Sequence, residues 1–148
     1  MAETEPYAPR TVAPSGLPLL IAEAFDRGRV TGLRHAVAAY AEASGLAGQR
    51  LEDFVLAVNE LITNAVRHGG GQGWLRLWRE DHTVRCEVSD SGGGIAASQL
   101  GDRDRPPPNT TGGRGLWLAR QLSDDMVVNT DATGTTIQIS TAVGDPTG

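Results

Sequence analysis

The sequence predicts an α+β fold, a two-layer sandwich with helices on one face of a mostly antiparallel, mixed sheet. Three observations lead there. Two segments near the start repeat apolar residues at helical spacing, later short segments alternate apolar and polar residues, and tight turn signals separate neighbouring strands. The chain has 148 residues, enough for one domain with a real core and no disulfide or metal to hold it.

Each element follows in order. Residues 1–16 read as a loose arm rich in Pro, Ala and charge, and Leu17–Phe25 as a first strand. From Gly28 to Ser44, Val30, Leu33, Val37 and Ala41 recur at helical spacing, with Gly45 as the stop. A second helix runs from about Ala47 to His68, with Leu51, Val55, Val58, Ile62 and Val66 as its apolar stripe and Gly69–Gly71 ending it. Trp74–Glu80 and Thr83–Asp90 are strands joined by Asp81 and His82. Ile95–Leu100 reads as a short helix, and Gly101–Gly113 as a loop broken by Pro106, Pro107 and Pro108. Arg114–Ser123 is a third helix. Met126–Thr130 and Thr135–Thr141 close a hairpin over Asp131–Gly134. The domain spans 17–142, and 143–148 form a tail.

Composition narrows the function. With 39% hydrophobic and 21% charged residues, the middle of the chain is globular rather than disordered. A net charge of -5 argues against nucleic acid or an anionic membrane as the main partner. No stretch approaches the roughly 18 apolar residues of a membrane span. Met1–Pro14 lacks the apolar core of a signal peptide. A single cysteine, Cys86, cannot form an internal disulfide and suits a reducing cytoplasm; its inward strand position makes it a core residue. All 13 Lys+Arg residues are arginines, so a P-loop lysine or a Schiff-base lysine is excluded. A phosphate site here must use backbone amides, arginine and metal. Trp74, Trp78 and Trp117 read as core or interface aromatics, since no nucleic-acid stacking motif surrounds them.

Candidate site residues fall in four places. On the second helix, Asp53, Ala57, Glu60, Asn64 and Arg67 with His68 share one stripe. Such a stripe is either a solvated face or a ligand face, and the glycines after it favour close backbone approach. A carboxylate and a carboxamide one turn apart offer a base and an oxygen ligand for Mg²⁺. In the third strand, Asp90 falls in register with Val84, Cys86 and Val88, so its carboxylate points coreward unless it turns out or caps the next turn. Gly92, Gly93 and Gly94 follow, where a flat ring can lie on bare backbone. Gly113, Arg114, Gly115 and Leu116 open a helix whose free amides attract phosphate. Thr135 shares a strand face with Ile137 and Ile139.

The order Glu60-x-x-x-Asn64, Asp90-x-Gly92-x-Gly94, Gly113-x-Gly115 and Gly134-Thr135 resembles the motifs of the GHKL ATPase superfamily, over about residues 28–140. The segments Ala57–His68 and Gly112–Leu118 most resemble the bacterial anti-sigma-factor serine kinases and their ATP-binding relatives. The resemblance implies a Bergerat-type ATP-binding fold. It implies ATP and Mg²⁺ as cofactors, with Asn64 holding the metal that bridges the phosphates. Asp90 would select adenine through its amino group, Gly92, Gly94 and Ile95 would line the base, and Thr135 would complete the base contacts. Gly113, Arg114, Gly115 and Leu116 would meet the phosphates, with Arg67 and His68 beside them. Glu60 would be the general base, and 96–113 the ATP lid.

The family pattern is broken at one point. The serine kinases often carry a basic residue just before the lid GxG, where this chain has Thr111 and Gly112; Arg103, Arg105 and Arg114 are the nearby cations. The implied function is a regulatory Mg-ATP-binding protein that phosphorylates a serine of an anti-anti-sigma partner and sequesters a sigma factor, in the cytoplasm and as a dimer. The alternatives are a non-catalytic ATP-dependent binding module and the detached ATP domain of a histidine kinase.

Overall fold

The computed structural model describes residues 18–68, 70–90, 113–131 and 134–144. The expected arm at 1–16, the helix at Ile95–Leu100, the lid as far as 112, and Gly92, Gly94 and Ile95 lie outside these residues. In chain order come β1 (Ile21–Asp26), a 3-10 turn (Arg27–Arg29), α1 (Val30–Ala43), α2 (Gly48–His68), β2 (Gln72–Glu80), β3 (Thr83–Asp90), α3 (Gly113–Leu122), β4 (Asp125–Asp131) and β5 (Gly134–Ala142).

Local chemistry sets these boundaries. Asp26 caps the 3-10 turn by accepting from the Gly28 N–H at 3.0 Å, so α1 proper starts at Val30. α1 stops at Gly45, whose φ of 115° is costly for any residue with a side chain. There the Leu46 N–H returns to the Ala41 carbonyl at 3.1 Å, and Leu46 is 1% exposed. This return bond with its buried apolar contact is the usual glycine stop of a helix. β1 begins at Ile21, later than expected. Leu19 and Leu20 are apolar enough for a strand, but the paired register with β2 starts only at Ile21 opposite Leu77.

The five strands form one sheet in the order β1-β2-β3-β5-β4, and all four pairings are antiparallel. The expected mostly antiparallel sheet therefore carries no parallel pair among the described residues. Helices pack on one face. Phe54, Val58, Leu61 and Ile62 of α2 meet Leu75, Leu77, Cys86 and Ile139 of the sheet in the core. α1 adds Leu33, Val37 and Ala41, and α3 adds Leu116 and Ala119. Burying each such Leu, Ile or Phe contributes roughly 1.5–3 kcal/mol.

One expectation needs correction. The buried face of α2 is Phe54, Ala57, Val58, Leu61, Ile62, Asn64 and Ala65. Leu51, Val55 and Val66 from the expected stripe are only half-buried. The helix is rolled so that the Ala57–Asn64 edge of the presumed polar stripe faces inward. Phe54 and Leu61 drive this roll, because a large ring and a leucine one helical face apart bury more surface than two valines.

Candidate functional site

The described elements bring four chain segments to one end of the sheet. Arg50, near the start of α2, donates from Nη1 to the Ala142 carbonyl at 3.2 Å and to Asp124 Oδ2 at 3.3 Å. This pins the N-terminal end of α2 to the last residue of β5. Asn64 lies fourteen residues further along α2, about 21 Å at the helical rise. Thr135 lies seven residues back along β5, about 23 Å at the strand rise. Both arrive at the same far end. β3 runs antiparallel to β5 and delivers Asp90 there, as the Cα partner of Thr135. α3 ends near Asp124, so its first residue, Gly113, opens toward that end as well.

The polar groups at this end are buried among apolar neighbours. Asn64 is 5%, Asp90 6% and Thr135 1% exposed. Alternation explains Asp90: Val84, Cys86 and Val88 precede it on the helix-facing side of β3, and all four are buried. Thr135 follows the same rule, with Ile137 and Ile139 beyond it on β5. Gly134 precedes it with a φ of 146°, a backbone region reserved for glycine, so the start of β5 requires that residue. A buried carboxylate and carboxamide are expensive unless satisfied, which sets this end apart from the apolar core beside it.

Thr130 joins this group, although its sequence position gave no reason to choose it. It sits opposite Thr135 on β4, and the two hydroxyl oxygens lie 2.7 Å apart. Asp90, Thr135 and Thr130 thus form a row across three strands. The available signal was register, since Thr130 and Thr135 flank the hairpin turn symmetrically.

α2 supplies the remaining groups. Glu60 is half-buried one turn before Asn64, and burial pushes its carboxyl above the ordinary value while the Arg67 guanidinium opposes that rise. Arg67 is exposed and His68 half-buried in the last turn, where positive charge suits the helix dipole. His68 Nε2 is buried and has no hydrogen-bond partner among the described residues. In α3, Gly113, Arg114, Gly115 and Leu116 form the first turn, whose N–H groups have no partner within the helix. The Leu116 side chain packs in the core at 3% exposure, which leaves only its backbone N–H for a ligand. Cys86 is fully buried and desolvation pushes its thiol up, which accords with the core role expected of it.

The site therefore combines an acceptor pair on the sheet, an amide oxygen and a carboxylate on α2, and a helix start suited to an anion. Among the described residues, no three or more His, Cys, Asp or Glu converge. A hard divalent ion would take oxygen from Asn64 and draw its other ligands from phosphate and water. No helix among the described residues is long and apolar enough to cross a membrane.

Comparison with known proteins identifies the family and the fold. The model of the histidine kinase-like ATPase domain family matches residues 24–141. The structure of the RsbU and RsbW domains of Rv1364c from Mycobacterium tuberculosis is similar, with a TM-score of 0.62 and 20% identity over 88% of this chain. This chain spans only 34% of that one. The catalytic domain of histidine kinase ThkA matches with a TM-score of 0.52 and 15% identity, covering 83% of this chain and 97% of that chain. The Acinetobacter baumannii histidine kinase AdeS gives 0.52 and 16%, over 85% and 69% of the two chains. At such identities these likenesses speak for the fold. No curated protein matches the chain in sequence.

Proposed function

From the premise that this chain belongs to the histidine kinase-like ATPase domain family, a nucleotide-binding family, we propose that it binds Mg-ATP and acts as an anti-sigma-type serine kinase. The observation that carries the reading is the buried row of Asp90 and Thr135 at the end where Asn64 and the start of α3 arrive. Asp90 accepts the adenine amino group, a donor that guanine lacks at that position. Thr135, held by Thr130, completes the edge of the base. The α3 amides and Arg114 cradle the phosphates, and Arg67 and His68 close the phosphate end. His68 Nε2 gains there the partner it lacks among the described residues. Gly92, Gly94 and Ile95 line the base in the same reading, and 96–113 fold over the nucleotide as a lid.

The transfer step needs a base. Glu60 takes the proton from a serine hydroxyl of the partner as that oxygen bonds to the γ-phosphorus, and ADP leaves with the electrons of the broken P–O bond. Mg²⁺, held by Asn64 and the phosphates, would supply charge neutralisation. The raised carboxyl of Glu60 brings its proton affinity closer to the working range of a base. The partners in this reading are an anti-anti-sigma protein as phosphate acceptor and a sigma factor as the sequestered target, in the cytoplasm, with the chain as a dimer. The local wording of Ala57–His68 and Gly112–Leu118 supports this assignment. So does the fold shared with a chain bearing an RsbW domain.

A second reading rests on Thr111 and Gly112, which stand where the serine kinases often have a basic residue. Without that charge the domain would bind ATP to set partner affinity and transfer nothing. The detached ATP domain of a histidine kinase is a third form of the same site. Incubation with γ-labelled ATP and candidate anti-anti-sigma proteins separates these readings. Label on a partner serine that disappears with Glu60→Gln, while ATP binding persists, supports the kinase. ATP-dependent partner binding with no label on any serine replaces it with the binding module.

A further inference from the structure

A separate pocket opens at the other end of the sheet from Asp90 and Thr135, between the first turns of α2, the end of α3 and the end of β5. Its volume is about 270 Å³, roughly nine times the 30 Å³ share of one liquid water, so it admits an organic group. Gln49, Arg50 and Asp53 line it from α2, Gln121 from α3, Asp124 from the turn that follows, and Thr141 from β5. Asp53 precedes Asn64 by eleven residues, about 17 Å along α2, which sets this pocket apart from the nucleotide end. Thr141 forms the inner wall. Strand parity places it on the helix-facing side of β5 with Ile137 and Ile139, and it is 3% exposed. Its hydroxyl is buried and has no hydrogen-bond partner among the described residues. A buried hydroxyl is costly without a partner, and this pocket is the open space that Thr141 lines.

Acceptors dominate the rest of the lining. Asp53 Oδ1 accepts from Gln49 Nε2 at 2.8 Å, and Asp124 Oδ2 accepts from Arg50 Nη1 at 3.3 Å and from the Ala142 N–H at 2.7 Å. Asp53 Oδ2 and Asp124 Oδ1 accept nothing among the described residues. The last carbonyls of α3 add the negative end of its dipole. Arg50 and the start of α2 bring positive charge, but Arg50 is held by Asp124 and the Ala142 carbonyl, which leaves Asp53 with no ion pair among the described residues. We propose that the pocket binds an organic monocation, a guanidinium or primary ammonium group, between Asp53 and Asp124 with the Thr141 hydroxyl at its inner end. Two carboxylates against one arginine leave a single negative charge to neutralise. A fork of N–H donors bridges two carboxylates and still reaches a hydroxyl. A phosphate or carboxylate would instead face both aspartates. A bare divalent ion wants more anionic oxygens than these two, and the described residues hold no group of three His, Cys, Asp or Glu that would bind one. The cation has two sources, a free small amine or a basic side chain of a partner protein.

The test is a nuclear magnetic resonance titration of the full chain, without nucleotide, against agmatine and against the tripeptide acetyl-Gly-Arg-Gly-amide. At millimolar concentration each probe should give saturable shifts centred on the side-chain amides of Gln49 and Gln121 and the backbone of Asp53, Asp124 and Thr141. Sodium glycolate and Mg²⁺ alone should leave these signals in place. Asp53→Asn should weaken both probes roughly tenfold, the scale of a lost hydrogen bond to a charged group. Thr141→Val, which keeps the shape and removes the hydroxyl, should weaken them several-fold. Far-UV circular dichroism checks that both variants are folded. Tighter binding of the tripeptide supports the site with a partner's side chain as its source, and tighter binding of agmatine supports it with a free amine. No saturable shift with either probe, shifts centred elsewhere, a larger response to glycolate or Mg²⁺, or equal affinity in wild type and Asp53→Asn would overturn the proposal.

Discussion

Replacing Asp90 with asparagine is the sharpest perturbation of the pocket, because it changes charge and hydrogen-bond polarity at nearly constant volume. Asp90 is 6% exposed and closes the helix-facing row of β3 directly opposite Thr135. Its carboxylate can only accept, which matches an exocyclic amino group; asparagine must turn its own amino group toward that donor or lose contacts on its other side. A hydrogen bond to a charged group contributes roughly 1.5–3 kcal/mol. The dissociation constant for ATP should therefore rise roughly tenfold to a hundredfold. ADP should weaken by the same factor, since the contact is to the base and not to the phosphates. Calorimetric titration of both nucleotides at fixed salt and Mg²⁺ measures this, with circular dichroism confirming that the variant is folded. If Asp90→Asn binds ATP within twofold of wild type, the adenine assignment fails, and with it the role given to Thr135.

Other consequences are independent of that contact. Phosphate transfer should have an acid limb at a pH above the ordinary glutamate value of 4.5, because burial raises the Glu60 carboxyl, and Arg67→Ala should move that limb to higher pH by removing the opposing cation. A raised carboxyl favours the fold below the unfolded value and loses that advantage as pH rises through the folded value. In urea melts, Glu60→Gln should thus gain stability relative to wild type between pH 4 and neutrality; a relative loss would contradict the burial of Glu60. Gly73→Ala should destabilise by about 1–3 kcal/mol, since a Cβ there would lie 2.6 Å from Phe25 Cζ and 2.8 Å from the Ser89 carbonyl. Denaturation that leaves the midpoint unchanged would show that Phe25 yields freely. Thr130→Val and Thr135→Val, in a double-mutant cycle, should show coupling on the order of 0.5–1.5 kcal/mol from the hydroxyl pair, and additive losses would dissolve it.

Much of the fold was legible because its signals are local. Thr83–Asp90 alternates without a break, and Asp81 with a φ of 56° makes the tight turn that the Asp-His pair suggested. Gly45 ends α1 where expected, and α2 ends at His68, as expected. Strand parity put Asp90 and Thr135 in line with coreward neighbours, and their burial at 6% and 1% decides between coreward and outward for them. What was hidden depends on packing between elements. The roll of α2 toward Phe54, Leu61 and Asn64 is decided by its packing against α1, α3 and the sheet, and the helical period of its valines pointed elsewhere. Thr130 acquires its place only once β4 and β5 are in register. Alternation with Leu75 and Leu77 sets Trp78 on the face away from the core, but its near-complete burial there is not visible in the pattern of its own strand.

That a magnesium-bound adenine nucleotide occupies the end of the sheet between α2 and α3 can be checked in one titration series. Calorimetry of the intact chain with ATP, ADP and GTP, with and without Mg²⁺, should give binding for the adenine nucleotides, a gain in ATP affinity with the metal that Asn64→Ala removes, and no heat for GTP. Equal affinity for ATP and GTP, or no heat with ATP under any condition, would contradict it.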